Sequence, residues 1–134
     1  MISKELLAGY QATCYSILNP KIDIYLDKEN EAFQSFLKDQ HIERWCFITA
    51  WNPFSKALTL DENISLNKVL EADLKNYTVF PAEGKDTLGD WPPEISFFVA
   101  NISKKQANFL GKKYEQNAIV YGEVEKIDKL IILV

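Results

Sequence analysis

The run Arg44-Trp-Cys-Phe-Ile-Thr-Ala50 constrains the fold more than any other stretch of the chain. In an extended conformation Trp45 and Phe47 point to one side, Cys46 and Ile48 to the other. A half-solvated strand needs one apolar face. A strand apolar on both faces belongs in the middle of a sheet that is covered on both sides. Asn52-Pro53 then stops the ladder, because proline has no N–H to donate and drives the residue before it out of the helical region. The pattern predicts a central strand over 44–50 whose end opens into a turn carrying Trp51, Asn52 and Ser55.

The remaining segments arrange around this strand. Residues 3–10 read as a short helix capped by Ser3, and 13–18 and 21–26 as strands joined by a turn at Asn19-Pro20. Asp27 is the expected cap of a helix to about Gln40, with Phe33, Phe36 and Leu37 on one side. Thr59-Leu-Asp-Glu62 and Ser103-Lys-Lys-Gln106 have the form of capping boxes, each opening a helix. In the first, Leu66, Val69, Leu70 and Leu74 make an apolar stripe, which Asn63 and Asn67 extend as polar positions. In the second, Ala107, Leu110 and Tyr114 pack and Gly111 allows close approach. Residues 77–81 read as an edge strand because of Pro81, and 82–93 as a long loop. Residues 94–100 form a second strongly apolar strand, and 118–123 and 129–134 the last two.

From Arg44 to Glu123 the order is strand, helix, strand, strand, helix, strand. That order is the split β-α-β of ferredoxin-like sheets. The expected fold class is therefore α+β: a ferredoxin-like core over residues 44–123, an N-terminal α-β-β-α extension and a C-terminal edge strand, in a single domain spanning 1–134. A mixed α/β sheet with helices on both faces is the alternative. On the first reading, strands 44–50 and 94–100 are parallel central neighbours. Trp51-Asn52 and Asn101–Ser103 then end side by side, near the N-termini of both following helices. Such a crevice is a common ligand site in open α/β sheets, and helix N-termini attract anions.

Composition narrows the function classes. A formal charge of −4 argues against nonspecific nucleic-acid binding. Lys104, Lys105, Lys112 and Lys113 have the spacing of a solvated helix face. No apolar run approaches the roughly 20 residues of a membrane span, and the N-terminus lacks the apolar core of a signal peptide. Cys14 and Cys46 lie in apolar runs outside any C-x-x-C pair, which predicts buried free thiols in a reducing compartment. A cytoplasmic protein is expected. The lone His41 follows a helix and has no catalytic motif beside it.

The residues gathered by this layout, Trp51, Asn52, Ser55, Asn63 and Asn67, suit binding better than catalysis. Amides donate and accept hydrogen bonds without titrating, and tryptophan offers a flat face. The carboxylates Glu83, Asp86, Asp90 and Glu94 flank the long loop and could bind a divalent cation or act as acid and base, although such sets are more often a solvated rim. No nucleophile–base pair, phosphate loop or metal-ligand spacing is present in the sequence.

Phe47-Ile-Thr-Ala-Trp-Asn-Pro-Phe-Ser55 is followed in order by Glu62-Asn63, Asn67, Glu83-Gly84-Lys85-Asp86, Trp91-Pro92, Glu94, Ser96-Phe97 and Gln116-Asn117-Ala118. This series resembles a bacterial family catalogued as domain of unknown function 3293, marked by its TAWNP motif, from about Leu6 onward. The resemblance implies that these polar residues form one shared set. The expected ligand-binding residues are Trp51, Asn52, Ser55, Asn63, Asn67, Trp91, Glu94, Ser96, Gln116 and Asn117. Ile95 stands where the family tends to carry a polar or acidic residue. Lys85 stands where it often has arginine, which weakens bidentate anion binding. No catalytic residue, metal or cofactor follows, and whether the protein is an enzyme stays open. The expected function is binding of a small polar or nucleotide-like ligand at the carboxyl ends of the central strands. The alternative is a protein-interaction module, such as a homodimer formed through the apolar final strand 130–134.

Overall fold

The computed structural model describes residues 2–26, 28–87, 92–124, 126 and 129–134. Its elements are α1 (Lys4–Ala12), β1 (Cys14–Leu18), β2 (Lys21–Tyr25), α2 (Glu31–Asp39), β3 (Arg44–Ile48), α3 (Leu60–Asp73), β4 (Thr78–Lys85), β5 (Glu94–Ala100), α4 (Lys104–Lys113), β6 (Ala118–Glu123) and β7 (Lys129–Ile132). A tight turn, Pro53–Ser55, closed by the Ser55 N–H to the Asn52 carbonyl and the Lys56 N–H to the Pro53 carbonyl, lies between β3 and α3. The strands form one sheet in the order β2-β1-β4-β5-β3-β6-β7. The class is α+β, as expected.

Every neighbouring pair in the sheet is antiparallel. The two central strands β3 and β5 are therefore neighbours of opposite direction, not the parallel pair expected from the sequence. The cause is the connection. From β3 the chain crosses over through α3 to β4, and β4 folds straight back into the gap between them as β5. Trp45 faces Ala100 and Ile48 faces Phe97 in this register. The end of β3 thus meets the start of β5. Asn101 lies at the opposite edge, where its N–H donates to the Arg44 carbonyl at 2.6 Å and its Oδ1 accepts from the Glu43 N–H at 2.9 Å. Trp51 and Asn101–Ser103 do not sit side by side.

Two-sided burial of β3 is as the sequence predicts. Trp45 and Phe47 join a cluster with Phe33, Phe36 and Leu37 of α2 and with Phe98. Cys46 and Ile48 join the other cluster, with Leu70 of α3 and Ala107 and Leu110 of α4. Helices cover both faces of the sheet, as in the alternative architecture, but the sheet is antiparallel throughout. Both cysteines are buried free thiols.

Three local expectations change. Helix α2 is capped by Asn30, whose Oδ1 accepts from the Phe33 N–H at 2.9 Å; Asp27, the expected cap, lies outside the described residues. Strand β4 continues to Lys85 and so takes up the first part of the expected loop. It is also internal, between β1 and β5. Its proline is tolerated because β1 pairs only from Ala82 onward, so on that side Pro81 owes no N–H to a ladder.

Candidate functional site

Residues 52–55 follow an unusual path. Asn52, Phe54 and Ser55 all have positive φ, at 45°, 53° and 60°. Each non-glycine residue in this region costs on the order of 1 kcal/mol or more and persists only where its surroundings hold it. The surroundings here come from three elements. Asn63 of α3 accepts from the Asn52 N–H and donates to Asn52 Oδ1, both at 2.8 Å. Asn52 Oδ1 also accepts from the Leu58 N–H. After α4, the Glu115 carbonyl accepts from the Phe54 N–H, Gln116 Nε2 donates to the Trp51 carbonyl, and Asn117 Nδ2 donates to Ser55 Oγ. From α1, the Tyr10 hydroxyl meets Ser55 Oγ at 3.3 Å.

The helix that supplies Asn63 is itself fixed. Thr59 and Glu62 form the reciprocal capping box read from the sequence. One turn further on, Asn67 joins the sheet to the turn. Its Oδ1 accepts from the Ala50 N–H at 2.8 Å and its Nδ2 donates to the Ile95 carbonyl at 2.9 Å. Asn63 and Asn67 are 2% and 6% exposed. They are braces behind the turn rather than part of an open surface.

In front of the turn lies a cavity of about 390 Å³. Its floor follows from strand periodicity. On β5, Ala100 and Phe98 enter the α2-side core, and the same face continues through Ser96 to Glu94. Gly84 lies directly across from Glu94, and Tyr15 across from Gly84. With no side chain at Gly84, the space above this row stays open. Phe47, Val120 and Leu130 continue the floor, and Tyr10, Leu6 and Glu5 of α1 form a wall. Trp51, Asn52, Ser55 and Gln116 line the side toward the turn.

Burial pushes the Glu94 carboxyl up to about 7, from an ordinary 4.5. Among the described residues no basic side chain forms an ion pair with it. Burial also raises Tyr10 and Tyr15, and the Glu94 charge raises both further. A carboxyl whose folded pKa is raised costs stability once the unfolded chain ionises. Stability should therefore fall as pH rises from about 4.5 to about 7 and level off above that. Subtracting the urea-unfolding stability of Glu94→Gln from that of the wild type, pH by pH, isolates this contribution. A difference that stays constant across the window would contradict it.

Of the residues expected from the sequence, Trp51, Asn52, Ser55, Glu94, Ser96 and Gln116 border the cavity. Asn63, Asn67 and Asn117 stand behind it as supports, and Trp91 lies outside the described residues, as does Asp90. Glu83 and Lys85 alternate away from Gly84, toward the opposite face of β4. The Ile95 side chain is 50% exposed and faces away from Glu94, so a polar residue there would not reach the cavity. Tyr10 and Tyr15 were not anticipated. Tyr10 shares the apolar side of α1 with Leu6, but only the β1–β4 register reveals that this wall faces Glu94. Among the described residues no group of three or more His, Cys, Asp and Glu side chains is arranged to hold a metal ion, and no helix is long and apolar enough to cross a membrane.

The model of a family described as protein of unknown function (DUF3293) matches residues 48–119, more than half of the chain. The chain belongs to that family. The DUF3293 match spans the turn, α3, β4, β5 and α4, so it includes the strained turn and its braces. Tyr10 and Tyr15 fall outside it. No match was found among curated proteins or among solved structures.

Proposed function

We propose that this DUF3293 protein binds a small polar ligand in the cavity between α1, the turn at 52–55 and the paired ends of β4 and β5. The observation that carries the reading is the convergence of Trp51, Asn52, Ser55, Glu94, Ser96 and Gln116 on one concave space. Its volume falls in the roughly 300–1,000 Å³ range of small-molecule sites. The strained turn supports the same reading, because backbone strain held by many partners clusters at ligand sites. Trp51 offers a ring face, while Asn52, Ser96 and Gln116 offer polar groups for orientation. The site lies where the carboxyl end of β3 meets the amino end of β5, which replaces the expected pair of carboxyl ends. The strand order β4-β5-β3-β6, with α3 and α4 as crossovers, supports a ferredoxin-like reading of this core. The buried free thiols support a reducing, cytoplasmic setting.

A thermal-shift screen of polar metabolites tests the proposal. A ligand present at 100 times its Kd should add about 2.7 kcal/mol to the wild type, and Trp51→Ala should lose most of that gain while remaining folded. A broad library that stabilises neither protein would overturn the reading.

A further inference from the structure

We propose that the cavity takes a small organic ammonium ion, held between the aromatic side chains of Tyr10, Tyr15 and Trp51 and the carboxylates of Glu5, Asp86 and Glu94. This deepens the ligand-binding reading and rests on it. Among the described residues, the cavity lining includes those carboxylates and no lysine, arginine or histidine. Lys85, next to Gly84, sits on the other face of β4, where its charge acts on Asp23.

An anionic ligand would have to rely on helix N-termini instead, and these are occupied or remote. The start of α3 is closed by its own capping box, with Thr59 and Glu62 satisfying each other's N–H groups. The start of α1 is capped by Ser3 and carries Glu5 in its first turn. Helix α4 begins at the opposite edge of the sheet and presents only its carboxyl end to the cavity. Nucleotide phosphates would therefore meet carboxylates without a compensating donor cluster. That disfavours the nucleotide-like ligand considered from the sequence.

A cation finds the reverse. Aromatic faces attract ammonium groups, most strongly where water is excluded. Among the described residues Glu94 has no ion-pair partner, and a ligand ammonium would supply one. The same contact explains how binding and protonation would be linked. Among the described residues, the titratable groups lining the cavity are Glu5 and Tyr10 of α1, Tyr15 of β1, Asp86 after β4, and Glu94 of β5. Tyr10 and Tyr15 are raised above 10 and stay neutral near pH 7. Glu94 is the group whose titration lies near 7. Ammonium binding should expel its proton, so affinity should rise as pH passes upward through about 7.

Isothermal titration calorimetry of the full chain tests this, with choline and tyramine as cationic probes, adenosine as a neutral probe and AMP as an anionic one. At pH 7, at least one amine is expected to bind and to release about half a proton, read as a dependence of the binding heat on buffer ionisation. Glu94→Gln should weaken the amine by about tenfold, the scale of one charge-assisted contact, and abolish the buffer dependence. Trp51→Ala should weaken it as well. If AMP or adenosine binds in a Trp51-dependent way and more tightly than both amines, the cation inference fails while the ligand site stands. If no probe of any charge binds the folded protein, both fail.

Discussion

Trp45→Ala is expected to cost about 3–5 kcal/mol, the upper range for truncating a buried aromatic. Trp45 has no exposed surface. It meets Phe33 edge-on at 5.1 Å and 77°, Phe47 at 5.8 Å and 83°, and Phe98 at 5.5 Å. Its indole also lies over Gly122, the residue directly across from it on β6. A Cβ at Gly122 would collide with the Trp45 ring. The floor under the indole is thus backbone in the sheet, which cannot move in to fill a void. Gly122→Ala should fail for the opposite reason, by overpacking, at about 1–3 kcal/mol. Combining Gly122→Ala with Trp45→Phe should cost less than the two changes added, because the smaller ring frees space for the new methyl. Urea unfolding measures all four proteins. A loss under about 1 kcal/mol for Trp45→Ala would contradict this account of the core, given that domains have only about 5–15 kcal/mol in total.

Asn67→Ala should rank next, at about 2–3 kcal/mol, and its effect should be local as well as global. The side chain satisfies the Ala50 N–H and the Ile95 carbonyl from one buried carboxamide. Removing it leaves the buried Ala50 N–H without a partner, at about 1–3 kcal/mol if water does not enter, and takes one of two donors from the Ile95 carbonyl, which keeps Thr49 Oγ1 at 2.7 Å. The turn at 52–55 then keeps its positive-φ residues with one of its braces gone. Amide exchange at residues 50–55 should accelerate more than in β3. Asn67→Asp retains an acceptor for the Ala50 N–H but has no donor for Ile95, so it should not restore full stability. Exchange that speeds up uniformly across the molecule would show that Asn67 supports only the core. Full stability of Asn67→Ala would remove its bracing role altogether.

The contrast between these two residues marks how much was legible in the sequence. Trp45 could be assigned to a two-faced strand from local alternation, because burial on both sides is written in consecutive side chains. Asn67 could be placed on the inward side of its helix, since helical spacing aligns it with Leu70 and Leu74. That it would be a brace, with Asn52 and Gln116 in front of it, could not be read. The role depends on which backbone groups the sheet leaves unpaired at that edge.

The sequence by itself determined the order of the elements, most of their buried faces and the turn at Asn52-Pro53, through alternation, capping residues and proline; Val69, expected in the buried stripe of α3, is 54% exposed, and β4 runs further than its proline suggested. Direction was decided only in three dimensions. A period-two pattern reads the same from either end, so nothing in residues 94–100 says whether they run with β3 or against it. The hairpin between β4 and β5 settles that question, and the consequences reach the site. It brings Glu94 and Ser96, rather than Asn101 and Ser103, to the end of β3, and it delivers the carboxyl end of α4 with Gln116 and Asn117. Register did the rest. The pairing of Tyr15 with Gly84, and of Gly84 with Glu94, sets an aromatic ring and a carboxylate on the same floor, on either side of a glycine, because antiparallel partners share a face.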